Sequence, residues 1–320
     1  MNAYERVIVK VPASTANLGP GFDTLGMALQ LYSYIEMSAA EETSITLYGE
    51  ELGGIPTDKR NLIYKVAQMV FEDAGVSVPE LRISMYSDIP LTRGLGSSAS
   101  AIIGGMFAAN ALIGYALPQE RIFTLATALE KHPDNVGASL YGGIIAATWD
   151  GTQAHHIRLT PSSHLTTLVA IPQFQLATEK ARNILPQQFS MGDAIFNVSH
   201  SSLLVAALAT ENFGMIRHAM RDRIHQPYRA SLIPGMSEIL DKAADYGALG
   251  VALSGAGPTL IALVDERESR EEQLEQFLMD TLNREQITAS TLWLKPSTEG
   301  AVALPDIEGR MFMDVVKGDM

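Results

Sequence analysis

Cysteine is absent from this 320-residue chain, which excludes disulfides, zinc thiolate sites and thiol catalysis. Positive charge is also scarce: 23 Lys and Arg stand against 36 Asp and Glu, a net charge of −13. A surface of that sign repels polyanions, so neither nucleic acid nor an anionic membrane is expected as a partner. The first residues show no signal peptide, since Glu5, Arg6 and Lys10 fall within a strand pattern; a cytoplasmic location is the expectation. No Walker A lysine pattern and no dinucleotide fingerprint occur, so loop amides must do most of any phosphate binding. Charge is missing altogether from Gly94 to Gln119, long enough to raise a membrane-spanning reading. Ser97, Ser98, Ser100, Asn110 and five glycines within it, with only Arg93 as a positive flank, favour instead a buried helix packed on a sheet.

With 47% hydrophobic and 18% charged residues, the chain reads as globular, and its length suffices to bury about three quarters of its extended surface. Strand patterns cover Val7 to Val11, Tyr32 to Met37, Ile45 to Tyr48, Leu81 to Ser87 and Gly142 to Trp149. Helical periodicity marks Asn61 to Ala74, with Leu62, Val66, Met69 and Val70 on one face, then Ser98 to Leu112 and Gln119 to Leu129. Asp150 to Ser163 reads as a solvated connection, which places a domain boundary near 155. The second half continues with a strand from Leu165 to Ile171 and helices at Phe196 to Leu208, Asn212 to Arg221 and Met236 to Asp245. Strands at Val251 to Ser254 and Thr259 to Val264, a charged helix at Glu266 to Leu282 and a strand at Ser290 to Leu294 complete it. This mixed order predicts an α+β fold: residues 1–155 as one domain, 156–300 as a second, and 301–320 as a tail that the sequence leaves uninformative.

Three loops carry chemistry. Residues 90–100 read Pro90, Leu91, Thr92, Arg93, Gly94, Leu95, Gly96, Ser97, Ser98, Ala99, Ser100 before an apolar helical segment. Gly94 and Gly96 let backbone approach a ligand, Ser97 and Ser98 can cap the following helix, and the helix N-terminus favours an anion. Read alone, this is as consistent with an ordinary capped helix. Earlier, a strand runs into Pro12, Ala13, Ser14, Thr15, Ala16, Asn17, Leu18, Gly19, Pro20, Gly21, Phe22 and Asp23, a loop with polar groups to present or a plain turn. Later, Gly250 to Thr259 joins two apolar runs through Ser254, Gly255, Ala256 and Gly257. A further cluster, Glu130, Lys131, His132, Pro133, Asp134 and Asn135, is either a solvated helix terminus or one wall of a site.

Together the three loops resemble the motifs of the GHMP small-molecule kinases, with wording like that of the homoserine kinases, and the likeness runs from about Val7 to about Leu294. The resemblance implies a two-domain GHMP kinase fold, with a ribosomal protein S5 domain 2-like N-terminal domain and a ferredoxin-like C-terminal domain around a shared active site. It implies ATP-dependent phosphorylation of the L-homoserine hydroxyl, giving O-phospho-L-homoserine and ADP, a step of threonine biosynthesis. ATP would sit on residues 90–100, and Mg²⁺ on Ser98 and Glu130. Asp134 is credited with general-base work in mevalonate kinase-type relatives, whereas homoserine kinases are commonly thought to need no dedicated base, so its role stays open. His132 and Asn135 would face substrate. Arg182 and Arg229 match the positions that grip the substrate carboxylate, with Thr178 nearby, while Asn17 and Asp23 match those that receive its hydroxyl end and ammonium. Gly255 and Gly257 would close the site. Lys131 stands where many relatives carry glycine, and either adds positive potential near the phosphates or points to solvent. The class is compatible with a homodimer. A silent metabolite-binding relative, a kinase for another alcohol and an interaction protein are the alternatives.

Overall fold

The computed structural model describes residues 5–49, 52–268, 270–305 and 307–320. Its first half is a sheet covered by helices: β1 (Arg6–Ala16), β2 (Leu25–Ala39), β3 (Ser44–Tyr48), α1 (Leu62–Asp73), β4 (Leu81–Ser87), α2 (Ser97–Leu112), α3 (Gln119–Glu130), α4 (Asp134–Tyr141), β5 (Ile144–Trp149) and β6 (Ala154–Leu159). β2 is the organising strand. It pairs with β1 along most of its length, with β4 through Ser33 to Ala39, and with β5 through Leu25 to Met27. The register of β1 against β2 shifts between Pro12 and Ala13, an irregularity that bends the pair and lets one strand serve two neighbours.

Helix α2 is buried on nearly every side, as its uninterrupted apolar composition requires. Gly104 and Gly105 make that possible, because a Cβ at the first would strike Ile35 and one at the second would meet Val66 Cγ2 at 2.6 Å. α1 starts where Asn61 accepts the Ile63 N–H at 2.8 Å, a side-chain cap. Its buried face is Ile63, Val66, Ala67 and Val70, whereas Leu62 and Met69 are only half-buried. The expected stripe was therefore rotated by part of a turn.

The second half comprises β7 (Leu165–Pro172), α5 (Thr178–Asn183), α6 (Met191–Ala209), α7 (Ile216–Ala219), α8 (Gln226–Arg229), α9 (Met236–Lys242), β8 (Gly250–Leu253), β9 (Leu260–Asp265), α10 (Glu271–Arg284) and β10 (Ala289–Leu294). Its antiparallel sheet has the order β10-β7-β9-β8, the ferredoxin-like arrangement in which the first and third strands occupy the centre. The helix expected from Glu266 begins at Glu271, after a turn over 266–268; residue 269 lies outside the described residues. The helix expected over 212–221 is two short pieces, a 3₁₀ turn at Phe213–Met215 followed by α7.

Two expectations about organisation change. Residue 155 lies within β6, which pairs with β5 and so belongs to the first sheet. The tail is not idle either: β11 (Val302–Ala303) pairs with β1 at Val9 and Lys10, and α11 (Phe312–Asp319) packs Phe312, Val315 and Val316 on Ile8 and Tyr34. We propose that one unit comprises the first 159 residues together with 301–320, and the other spans 165–294. A continuous apolar core joins them, with Leu18, Leu25, Leu29 and Leu95 against Leu165, Val169, Leu204 and Ile261, so the cleft between the sheets has rigid walls.

If the tail is part of the first unit's core, Phe312→Ala should cost about 3 kcal/mol of unfolding free energy. Urea denaturation measures this, and a loss below about 1 kcal/mol would show that α11 is only loosely docked.

Candidate active site

A cleft of about 720 Å³, counting its open mouth, lies where the three loops meet. The first loop leaves β1 at Ala16, five residues later than the apolar pattern suggested, because β1 continues through the segment expected to be irregular. Asn17, Leu18, Gly19 and Asp23 all take positive φ, a tight reversal costly for Leu18 and natural for Asn and Gly. Asn17 supports it from within: its Oδ1 accepts the Asp23 N–H and its Nδ2 donates to the Gly255 carbonyl, both at 3.0 Å. The loop is thereby tied to the third motif.

In the second loop, Gly96 and not a serine is the N-cap of α2, in left-handed conformation and with no side-chain capping bond. The Ser97 and Ser98 hydroxyls do not cap the helix as expected. The first helical bond runs from the Ser100 N–H to the Gly96 carbonyl, so the N–H groups of residues 97–99 are left for a ligand. Ser98 instead donates to Glu130 Oε1 at 2.7 Å. Thr92, Gly94, Gly96, Ser97, Ser98 and Ala99 line the cleft. The remaining members of the expected ATP loop do not: Leu95 is in the inter-sheet core, Leu91 packs on the first core, and Ser100 is buried near Ser33, while Pro90 and Arg93 are half-buried outside the lining. A glycine-rich loop alternates its contacts, and the apolar members anchor it.

α3 ends at Glu130 with Lys131 in left-handed conformation at φ 70°, which turns the chain sharply so that α4 starts at Asp134. Lys131 is exposed. Asp134 is fully buried; its Oδ1 lies 2.6 Å from His132 Nδ1 and accepts the Asn135 N–H at 2.7 Å, while Oδ2 is buried with no protein partner. Burial alone would lower the His132 pKa, but the neighbouring Asp134 carboxylate outweighs it and the net direction is upward. Asn135 Oδ1 accepts from Ser14 Oγ at 3.0 Å, and Ser139 Oγ backs Ser14 at 3.2 Å.

The opposite wall carries the arginines. Arg182, on α5, holds Asp23 in a two-pronged pair, Nη1 to Oδ2 at 3.0 Å and Nη2 to Oδ1 at 2.7 Å. Arg229, 2% exposed, donates from Nε to the Ala181 carbonyl at 2.9 Å and from Nη1 to the Gly255 carbonyl at 3.0 Å. Burial first, and then the Arg182 charge, lower its pKa to about 10, so it remains cationic at neutral pH. Both guanidinium groups approach the Phe22 ring, at 5.5 and 5.3 Å from its centroid. Asn17, Asp23, His132, Asn135, Thr178, Gly255 and Gly257 also line the cleft. Ala16, Phe22, Leu176 and Ala256 complete the wall; Ala16, Phe22 and Ala256 belong to the loops marked in sequence without a role of their own, and only proximity to the α5 arginine could have marked Leu176.

A contiguous series of polar groups crosses the floor. Ser98 bonds Glu130, Glu130 Oε2 is 3.8 Å from His132 Nε2, and His132 meets Asp134. Ligand atoms of Asp23, His132 and Asp134 lie within 4.8 Å of one another, but Arg182 already occupies Asp23, so that corner suits an ammonium group better than a metal ion.

An α/β unit and a ferredoxin-like unit, with a glycine-led helix end on one side of the cleft and Asp23, Arg182 and Arg229 on the other, have the form of a GHMP-type small-molecule kinase. Residues 61–143 match the model of the GHMP kinases N terminal domain, and residues 204–278 that of the GHMP kinases C terminal domain. The homoserine kinase of Desulfitobacterium hafniense is 42% identical over 298 residues, covering 93% of this chain and all of the relative. That of Deinococcus radiodurans is 41% identical, covering 92% of this chain and 95% of its own. The crystal structure of homoserine kinase from Cytophaga hutchinsonii superimposes with a TM-score of 0.84 at 26% identity, over 95% of this chain and 99% of that one. The chain belongs to the homoserine kinase family.

Gly94 and Gly255 test the loop geometry. At Gly94, with φ +85°, a Cβ would strike the Ser254 carbonyl, whereas at Gly255 the nearest atom, the Gly94 carbonyl oxygen, is 3.5 Å away. Gly94→Ala should therefore destabilise by more than Gly255→Ala, and by more than about 1 kcal/mol, as read by thermal unfolding; equal losses would refute the close approach.

Proposed function

We propose that this cleft transfers the γ-phosphoryl group of ATP to the hydroxyl of L-homoserine, giving O-phospho-L-homoserine and ADP and so serving threonine biosynthesis. The observation that carries this reading is the polar series from Ser98 and Glu130 through His132 and Asp134 to Asp23 and Arg182, in which the Asp23, His132 and Asp134 ligand atoms lie within 4.8 Å of one another. It joins an anion-binding helix end to partners for both charges of an amino acid. At one end, the free N–H groups of α2 and the loop backbone around Gly94 and Gly96 receive the phosphates. Ser98 Oγ and Glu130 form a hard oxygen pair that fits Mg²⁺. When bound there, Mg²⁺ would neutralise phosphate charge.

At the other end, the resting Asp23–Arg182 pair already contains the recognition chemistry. A zwitterion offers an ammonium to Asp23 and a carboxylate to Arg182 and Arg229, so both members exchange one partner for another. A neutral alcohol such as galactose offers neither charge to replace that internal pair, and mevalonate has nothing for Asp23. Phosphoryl transfer through a loose transition state asks mainly for alignment and charge neutralisation. Asp134 supplies the one further element: with Oδ1 engaged by His132 and Asn135, Oδ2 is the acceptor left for the substrate hydroxyl proton.

ADP release from Mg·ATP should occur with L-homoserine and not with mevalonate, galactose or L-serine; turnover with mevalonate or galactose instead would keep the reaction class and refute the zwitterion clamp. Glu130→Gln should lower kcat by about a hundredfold or more with unchanged unfolding, and full activity would move the metal elsewhere. Asp134→Asn separates its two roles: a proton acceptor loses about a hundredfold or more in kcat, while a group that only positions His132 does not.

A further inference from the structure

Behind Arg229, outside the cleft lining, lies His225, fully buried between the 17–24 loop and α8. Its Nε2 is 2.7 Å from the Gly19 carbonyl oxygen, its Nδ1 is 3.2 Å from Arg229 Nη1, and its ring stacks on Phe22 at 5.1 Å between centroids. These partners fix its protons. A carbonyl oxygen only accepts, so Nε2 carries hydrogen; a guanidinium only donates, so Nδ1 presents its lone pair. The imidazole is therefore the neutral Nε2–H tautomer.

The partners of Arg229 share one property. The Ala181 carbonyl, the Gly255 carbonyl and His225 Nδ1 come from three separate segments, and all are uncharged. A buried guanidinium is ordinarily matched by a carboxylate, but the nearby Asp222 carboxylate faces the other side of the imidazole, with Oδ2 3.6 Å from His225 Nε2. Asp222 is otherwise engaged: it accepts from the N–H groups of Ile224, His225 and Gln226 and from Asn197 Nδ2. Asn197 in turn donates to the Pro20 carbonyl at 3.2 Å and accepts the Arg223 N–H at 2.8 Å. This network ties α6, the 17–24 loop and the approach to α8 into one unit.

We propose that His225 is a positioning residue: as a neutral imidazole it fastens Arg229 to the Asp23-bearing loop without neutralising it, reserving the guanidinium charge for the carboxylate of the amino-acid substrate. The proposal rests on the reading that Arg229 meets that carboxylate. The charged groups facing the ring are Asp222 ahead of α8, Arg229 from α8, and Asp23 from the loop. Burial first, and then Arg229, hold the His225 pKa below its ordinary value against the opposing pull of Asp222, the Gly19 carbonyl and Asp23. Because the folded form prefers the neutral ring, this contribution to stability is full above the ordinary histidine pKa and is lost as pH falls below it.

Two measurements test it. Nitrogen-15 NMR of the imidazole in the unliganded protein should show a neutral Nε2–H ring at pH 6; an imidazolium or an Nδ1–H ring overturns the proposal. This readout needs no substrate, so a protein that shows the tautomer yet fails to turn over homoserine refutes the assigned reaction alone. Kinetics then compare three variants. His225→Leu should raise KM for homoserine about tenfold or more, with KM for ATP within about twofold. His225→Asn, whose carbonyl can still accept from Arg229, should recover most of that loss, whereas His225→Gln, which can keep only the Gly19 bond, should not. Parallel rises in both KM values, or Asn doing no better than Gln, would show that His225 is merely structural. Should the Leu variant not fold, the Asn and Gln pair with the NMR signal still decides.

Discussion

The site depends on a single buried hydroxyl. Ser254 Oγ lies 2.6 Å from the Gly94 carbonyl oxygen and 2.8 Å from Thr15 Oγ1. With one proton to give, it donates to the carbonyl and accepts from the threonine. That arrangement binds the third motif to the second and the first at once. Backbone bonds repeat the connection, from Gly255 N–H to the Ala16 carbonyl and from Thr259 N–H to the Arg93 carbonyl. Three loops far apart in sequence thus behave as one rigid object. The glycines follow from this crowding, since side chains at 94 or 96 would strike Ser254 or Ser14.

An acidic protein that holds a polyanion must gather positive potential locally, and this one does so with little formal charge. In the proposed reaction, helix-end amides would serve the phosphate side, where no lysine is required. On the substrate side, Arg182 is half-exposed and paired, while Arg229 is buried and held by neutral acceptors. The two arginines are therefore not equivalent. One rests in an internal pair that a ligand must replace, and the other is kept charged and waiting. The first arrangement discriminates against ligands with one charge, and the second supplies attraction without an internal competitor.

Much of this was legible in sequence because the loops are short and chemically marked. Glycine at positive φ, hydroxyls beside a helix start and paired arginines each leave a residue-level trace. β4 was read to its ends because Leu81 to Ser87 is flanked by clear breaks. α4 was missed: Asp134 to Tyr141 is short, begins after Pro133, and contains Gly137, so its helicity comes from packing against Phe123 and Ile145 and not from propensity. β6 was read as solvated because His155, Arg158 and their neighbours are polar, yet it pairs along one edge of β5 with an exposed face. The role of Asn197 left no trace at all. Its three partners are backbone and side-chain atoms brought together only by the fold, and nothing in a helical segment of small and apolar residues distinguishes it from a surface asparagine.

β11 and α11 give the chain a particular order of assembly. The outer edge of β1 is paired by β11, with Val9 opposite Ala303, and Ile8 and Tyr34 pack against Phe312, Val315 and Val316. During synthesis the first sheet therefore emerges with one edge open and an apolar patch bare, and both stay so while the entire ferredoxin-like unit is being made. Closure of the first sheet must then wait for the second unit, which makes the ribosome-bound chain more prone to edge-to-edge association than the finished protein.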